Sequence, residues 1–383
     1  MHTTRAWVFV CRGIVVSGWV ACQGSVAVAQ ELETSLGEQV FTVPAGGLRE
    51  PELEVTVFMP PGPGPFPVIV INHGRAPGNP KFQARYRPLL AVREFIQRGY
   101  AVMAPMRQGF SNSGGAEING GCNVYSNGIE QARSVRRALD WAALQPWADV
   151  SRSVVMGQSH GGLTTLAYGT EPNPGTRLLV NFAGGLRQEN CTSWDHVLMR
   201  AIGAYGAETR LPSLWFYGDN DSYFQPFVWR GAHERYVQAG GRAELVAFGT
   251  FGSDAHRMFG SRSGLPIWLP RVLEAMATAG LPTEVVHSVV EAPDLPAPPS
   301  SGFAALADVD KLPLRSERAR EGYREWLRGA VPRAFAIHPV KGHWVGTWGG
   351  RRAIARVLTR CETLAKEPCR LYAVDDSVVW VHQ

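Results

Sequence analysis

The chain has 383 residues, 45% of them hydrophobic and 19% charged. That is enough apolar surface for one large domain and a smaller one, and it excludes a chain dominated by disordered tracts. The net charge of +5 is unevenly placed, because residues 301–383 carry 14 Lys/Arg against 9 Asp/Glu while the charges before them cancel. The basic excess of the C-terminal segment suits contact with anionic envelope polymers or lipid headgroups, or an ordinary solvated helix face. No nucleic-acid partner is expected.

At the N-terminus, Arg5 and Arg12 lead into an apolar stretch over 13–22, and small residues follow at Ala27 and Ala29. That order reads as a secretory signal peptide over 1–29, cleaved after Ala29. The apolar stretch falls short of the roughly 20 residues that span a bilayer. The expectation is an exported protein, periplasmic or secreted, with no membrane span. Removing Cys11 and Cys22 leaves Cys122, Cys191, Cys361 and Cys369. Four cysteines in an oxidising compartment suggest two disulfides, with three connectivities open. Proximity favours Cys361–Cys369, and hence Cys122–Cys191. No Cys-x-x-Cys or His/Cys cluster has metal-ligand spacing, so no structural zinc is expected.

Residues 38–60 read as two strands, "EQVFTVPA" and "LEVTVFMP", stopped by a proline cluster. "FPVIVINHG" is a continuous apolar run, as in a strand buried on both faces. A helix near 87–98 and a buried strand "YAVMAPM" follow. Residues 107–125 are rich in Gly, Asn and Ser and read as loop. The next stretch places Ile129, Ala132, Val135, Ala138 and Leu139 at helical spacing. Strand "SVVMG" then leads to helix "GGLTTLAYG", and strand "RLLVNFAGG" to an irregular segment over 188–209. Strand "LPSLWFYGD" precedes helix "FVWRGAHERYVQAG", and "AELVAFG" precedes a helix near 266–279. Such alternation implies an α/β fold, a mainly parallel sheet with helices on both faces and a site beyond the C-terminal strand ends. Residues 281–300 hold five prolines and read as a linker. In the remaining 301–383, two amphipathic helices and the strands "AFAIHP" and "RLYAVDDSVVW" make a small basic α+β module, which a disulfide would help to hold. The expected division is a signal peptide over 1–29, a catalytic domain over 30–280, the linker over 281–300 and the module over 301–383.

The chemistry sits in the loops after the strands. "GQSHGG" puts Ser159 on a strand-to-helix turn, with Gly157 and Gly161 lacking the Cβ that would keep the two elements apart. There the hydroxyl clears the sheet at a helix N-terminus, which favours developing negative charge. A serine needs a base to take its proton, and in this architecture an acid and then a histidine follow it in the chain. Asp221, just beyond strand "LPSLWFYG", is the preferred acid, with Asp219 left to cap the turn. His256, after the next strand, is the base, and Asp254 shapes its loop. His233, His287, His338 and His343 are less well placed. Oxyanion donors are the backbone amides of His160 and of Arg75, in "VINHGR", where Gly74 admits close approach and His73 braces the loop.

"VINHGR", "GYAVMAPMRQGFSNSGG", "GQSHGG", "YGDND" and "DAHRMF" stand in an order that resembles the α/β-hydrolase superfamily over about residues 50–280. The likeness is strongest to its dienelactone-hydrolase-like branch, which includes secreted esterases and some acyl-peptidases. It implies Ser159 as nucleophile, Asp221 as acid and His256 as base. Dienelactone hydrolases proper use cysteine at the nucleophile position, so Ser159 argues for general ester hydrolysis. The expected function is that of an exported serine hydrolase cleaving carboxylic esters through an acyl-enzyme, with no metal or organic cofactor and a small-molecule or acyl-ester substrate. One alternative is a peptidase or acylase on the same triad; another is an inactive envelope-binding protein. A Cys122–Cys191 bridge would join the loop at 107–125 to the segment at 188–209 as one pocket wall. Trp194, Tyr125, Tyr223 and Phe224 are candidate lining residues.

Overall fold

A computed structural model describes residues 32–47, 50–188, 190–289, 294–329, 331–348 and 352–381. The expected signal peptide, with Cys11 and Cys22, lies outside the described residues. Residues 33–383 form one compact unit that contains two sheets.

The larger sheet takes eight strands. They are β1 (Glu38–Val43), β2 (Leu53–Phe58), β3 (Phe66–Asn72), β4 (Ala101–Pro105), β5 (Ala148–Gln158), β6 (Thr176–Phe182), β7 (Pro212–Tyr217) and β8 (Arg242–Ala247). Their spatial order is β1-β2-β4-β3-β5-β6-β7-β8. The β1–β2 and β2–β4 pairs are antiparallel, and every later pair is parallel. The central strands are apolar throughout because both faces are covered. Along β3, Val68 and Val70 enter one core while Ile69 and Ile71 enter the other. On the first face lie α2 (Val124–Ala142), α3 (His160–Tyr168), α4 (Trp194–Glu208) and α5 (Pro226–Gln238). On the second lie α1 (Leu89–Ile96) and α6 (Leu265–Thr278). There Phe182 stacks on Phe216 and Phe259, with ring centres 4.9 and 4.1 Å away.

Helix α4 corrects the expectation of an irregular segment over 188–209. Leu198, Ile202 and Tyr205 form a buried stripe at helical spacing. Gly203 and Gly206 weaken its helical signal in the sequence, yet each serves close packing. A Cβ on Gly206 would strike the Tyr236 carbonyl of α5.

The second sheet has the order β10-β9-β11-β12, antiparallel throughout. Its strands are β9 (Arg333–Ile337), β10 (Trp344–Trp348), β11 (Arg370–Val374) and β12 (Ser377–Val378). Tyr323 and Trp326 of α7 (Glu317–Leu327) pack with Phe335, Ile337 and Tyr372. Ile354, Val357 and Cys361 of α8 (Ala353–Ala365) pack with Ala334, Ala336 and Val374. Strand β10, not foreseen in the sequence, closes one edge. A disulfide joins Cys361 to Cys369. The proline-rich segment before this sheet is fastened rather than slack. The amides of Val286 and His287 donate to the Gln97 carbonyl at 2.8 and 2.9 Å. Further on, the Asp294 carboxylate accepts from the amides of Ile354 and Ala355, capping α8.

One ion-pair cluster anchors the antiparallel edge of the large sheet. The Glu38 side chain is fully buried and receives both Arg85 and Arg87. Burial alone would raise its pKa, but hydrogen bonds from Arg87, Glu33 and Arg85 outweigh it and hold the carboxyl below its ordinary 4.5. A depressed folded-state pKa gives stability that is complete above the unfolded value and is lost as pH falls through the folded one. Glu38→Gln, which removes the buried carboxylate that Arg85 and Arg87 share, should therefore cost about 3–5 kcal/mol at neutral pH. In urea titrations that deficit should shrink below pH 4.5.

Candidate active site

Ser159 sits between the last residue of β5 and the first of α3 with φ 57° and ψ −125°, a backbone that non-glycine residues rarely adopt. Its neighbours over-determine that conformation. The Ser159 amide donates to the Phe182 carbonyl at 3.0 Å, and its carbonyl accepts from Gly162, Leu163 and Gly185. A Cβ on Gly157 would strike the Gly161 carbonyl, and one on Gly161 would strike the Asn72 carbonyl. Both glycines therefore act as the sequence suggested. The side chain is left half-buried at the top of the sheet.

Two further loops bring an acid and a base together. Asp221 follows β7, and His256 stands in a short 3-10 turn after β8. His256 Nδ1 lies 2.9 Å from Asp221 Oδ2. Asp221 Oδ1 also accepts the Tyr223 and Phe224 amides at 2.8 and 2.9 Å, so its buried carboxylate is held on several sides. Asp254 shapes the histidine loop, accepting from the His256 amide and from both the amide and the hydroxyl of Ser222. Asp219 is exposed and faces Arg230 at 3.5 Å. The side chain that ties its turn is Asn220, bonded to both the amide and the carbonyl of Phe251. Gln158 Nε2 donates to the His256 carbonyl at 2.6 Å, docking the base loop against the residue before the serine. Among the described residues, Ser159 Oγ makes no hydrogen bond to His256. Such contacts commonly tighten only when substrate is bound.

The loop after β3 passes close over Ser159. A Cβ on Gly74 would lie 3.3 Å from Ser159 Cβ. The Arg75 side chain is held in a two-pronged pair with Glu117 of the loop after β4. His73 is buried and braces this loop, as expected. Its Nε2 accepts the Arg107 amide at 3.0 Å, which places the proton on Nδ1 for donation to the Gly74 carbonyl at 2.6 Å. Neither the His160 nor the Arg75 amide donates to another backbone group among the described residues.

Beneath this loop is a residue that the sequence reading passed over. Arg107 is fully buried, donating from Nε to Gln131 Oε1 at 2.8 Å and from Nη1 to the His73 carbonyl at 2.6 Å. Burial lowers its pKa to about 9, which leaves it charged at neutral pH. The sequence signal was an arginine placed directly after a strand, inside a stretch otherwise read only as loop.

The structure joins Cys122 to Cys191, so the loop after β4 and the segment before α4 are covalently tied. Tyr223 and Phe224 lie against His256, with ring centres 4.5 and 5.7 Å away. Trp194 follows at 6.3 Å from Phe224, with the Arg187 guanidinium over its ring. Tyr125 is engaged elsewhere, stacked on Tyr205 and donating to Glu208. It borders an open groove of about 450 Å³ between α2 and α4 that none of Ser159, Asp221 and His256 lines. His233 bonds the Ala243 carbonyl, and His338 pairs with Glu367, both away from the site. Among the described residues no group of three His, Cys, Asp or Glu could hold a metal ion, and no helix is long and apolar enough to cross a membrane.

Residues 50–215 match the model of the X-Pro dipeptidyl-peptidase (S15) family. That span includes Ser159 but ends before Asp221 and His256. No curated protein sequence matches the chain. Among solved structures, an acylaminoacyl peptidase from Pyrococcus horikoshii aligns at 17% identity with a TM-score of 0.50. The alignment covers 66% of this chain and 43% of the peptidase, so this chain spans under half of that protein's length. An esterase from Pyrococcus furiosus aligns at 15% identity and TM-score 0.49, over 66% of this chain and 94% of the esterase. A Klebsiella pneumoniae protein provisionally described as a dienelactone hydrolase aligns at 18% identity and TM-score 0.46, over 63% and 98% of the two chains. Its strand order, its serine turn and its fold likeness to the Pyrococcus horikoshii enzyme give the chain an α/β-hydrolase-like fold.

Proposed function

We propose that this protein is an exported serine hydrolase that cleaves carboxylic esters. The observation that carries the reading is the buried Asp221–His256 pair, docked through Gln158 against the strained turn that presents Ser159. In the proposed reaction His256 Nε2 takes the Ser159 proton as Oγ attacks the acyl carbonyl. The electron pair moves onto the carbonyl oxygen, which the His160 and Arg75 amides receive. Asp221 fixes the imidazole with Nδ1 protonated and stabilises the imidazolium. Collapse of the intermediate expels the alcohol, which takes the proton from His256 and leaves an acyl-enzyme. Water, activated by the same imidazole, then releases the acid and restores the serine. The aromatic surface of Tyr223, Phe224 and Trp194 offers the acyl chain an apolar wall. Two disulfides suit the oxidising compartment that export implies.

Amide cleavage by the same groups is a second reading, favoured by the partial match to a peptidase family. Matched ester and anilide substrates separate the two. Faster turnover of the ester, after allowance for its intrinsic reactivity, supports the first reading, and an anilide preference supports the second. Ser159→Ala should abolish turnover of p-nitrophenyl butyrate and labelling by a fluorophosphonate probe while leaving the circular dichroism spectrum unchanged. Retained activity in that variant would remove Ser159 from the mechanism. Asp221→Asn preserves shape but no longer fixes the tautomer, and kcat should fall by about 10⁴. A drop of under tenfold would show that another acid serves.

A further inference from the structure

Beneath the His160 and Arg75 amides, the fold buries a positive charge that no carboxylate among the described residues answers. The polar partners of Arg107 are all neutral. They are Gln131 Oε1 at Nε, the His73 carbonyl at Nη1, His160 Nδ1 facing Nη2 at 3.5 Å, and His73 Nε2 at the backbone amide. Phe110 covers the guanidinium with its ring centre 5.5 Å away. The remaining titratable group that acts on it is Tyr86, a phenol that burial keeps protonated.

The two imidazoles beside it are uncharged. Arginine cannot accept a hydrogen bond, so His160 Nδ1 is the acceptor and its proton sits on Nε2, donated to Asn127 Oδ1 at 2.8 Å. Burial, reinforced by the Arg107 charge, holds the pKa of both His73 and His160 well below 6.5. The cluster therefore carries one net positive charge, withdrawn from solvent.

An unpaired buried charge costs several kcal/mol, and a cleft is where such a cost is repaid by function. The contacts of Arg107 run to groups that adjoin both proposed oxyanion donors. Nη1 holds the carbonyl of His73, which leads into Gly74 and Arg75, and Nη2 faces the ring of His160. We infer that Arg107 is a positioning residue whose buried charge stabilises the negative acyl oxygen of the tetrahedral intermediate through His73 and His160. Its counterion forms only during the reaction. A substrate carbonyl is neutral when it binds, so the charge acts on kcat and hardly on KM. This inference rests on the hydrolase reading above.

Gln131→Glu tests it with minimal change of shape. A carboxylate at Gln131 Oε1 would pair with Arg107 in every state and cancel the charge without opening a cavity. With p-nitrophenyl butyrate, kcat is expected to fall by about tenfold or more, less than the 10²–10³ lost with a direct donor. KM should stay within about threefold, and Tm should be equal or higher. A purely structural Arg107 predicts the same Tm with kcat unchanged, and that result would overturn the inference. Should Gln131→Glu fail to fold, Arg107→Lys and Arg107→Gln decide. Lys should retain about tenfold more kcat than Gln, and equal values would overturn the proposal. Absence of any wild-type turnover would overturn both readings, whereas wild-type turnover with an unaffected Gln131→Glu variant overturns this one alone.

Discussion

At Ser159 the chain must leave a buried parallel strand and enter a helix within one residue, at a φ of 57° that its side chain disfavours. A residue in such a region costs of order 1–3 kcal/mol. It is held there by four backbone hydrogen bonds and by glycines that let β3, β5 and α3 approach to backbone contact. The remainder of the site is arranged around that fixed point. Gly74 passes over it, Gly185 bonds to its carbonyl, and Gln158 beside it carries the histidine loop. A serine projected in this way has little freedom of its own, so the loops around it determine what it can reach.

Those loops come from separate strand ends, and each is stabilised locally. The Asp221 carboxylate satisfies two amides of its own turn before it meets His256. Asp254 closes the histidine turn onto Ser222, which links the loops after β7 and β8. Two buried histidines flank the serine's other side and remain neutral, each with its tautomer set by a hydrogen bond that Arg107 donates, from its amide to His73 Nε2 and from Nη2 to His160 Nδ1. Three side chains that could be cations thus yield a single charge, because burial permits only one and the guanidinium keeps its proton most tenaciously.

Much of this was legible in the sequence. Apolar runs marked the central strands, and the Gly-x-Ser-x-Gly turn gained its meaning from lying between a strand and a helix. The aspartate and histidine could be chosen by asking which loops follow which strands. What stayed hidden had physical causes. Helix α4 was obscured by Gly203 and Gly206, which weaken helix propensity but admit neighbouring backbone. Strand β10, "WVGTW", is a short edge strand on the small sheet, and its central Gly346 receives Trp326 and Phe335. Arg107 was missed because arginine is ordinarily a surface residue, and nothing in a Gly/Asn/Ser-rich context reveals that one side chain turns inward. Asp294, in a stretch that reads as a linker, caps a helix some 60 positions later, a contact that local pattern cannot disclose.

The Cys122–Cys191 bond closes a ring spanning a sequence separation of 69. Inside that ring lie Gln131, Ser159 and His160, together with β5, α3 and β6; outside it are Arg107, Asp221 and His256. The strand, turn and helix around Ser159 thus lie within a covalent cycle to which Arg107, Asp221 and His256 are brought only by folding. In the chain-entropy picture such a cycle removes about 4 kcal/mol of freedom from the unfolded ensemble. Its effect is also topological: a single backbone cleavage anywhere within the cycle leaves both fragments attached, so the serine turn cannot be lost from the molecule by one nick.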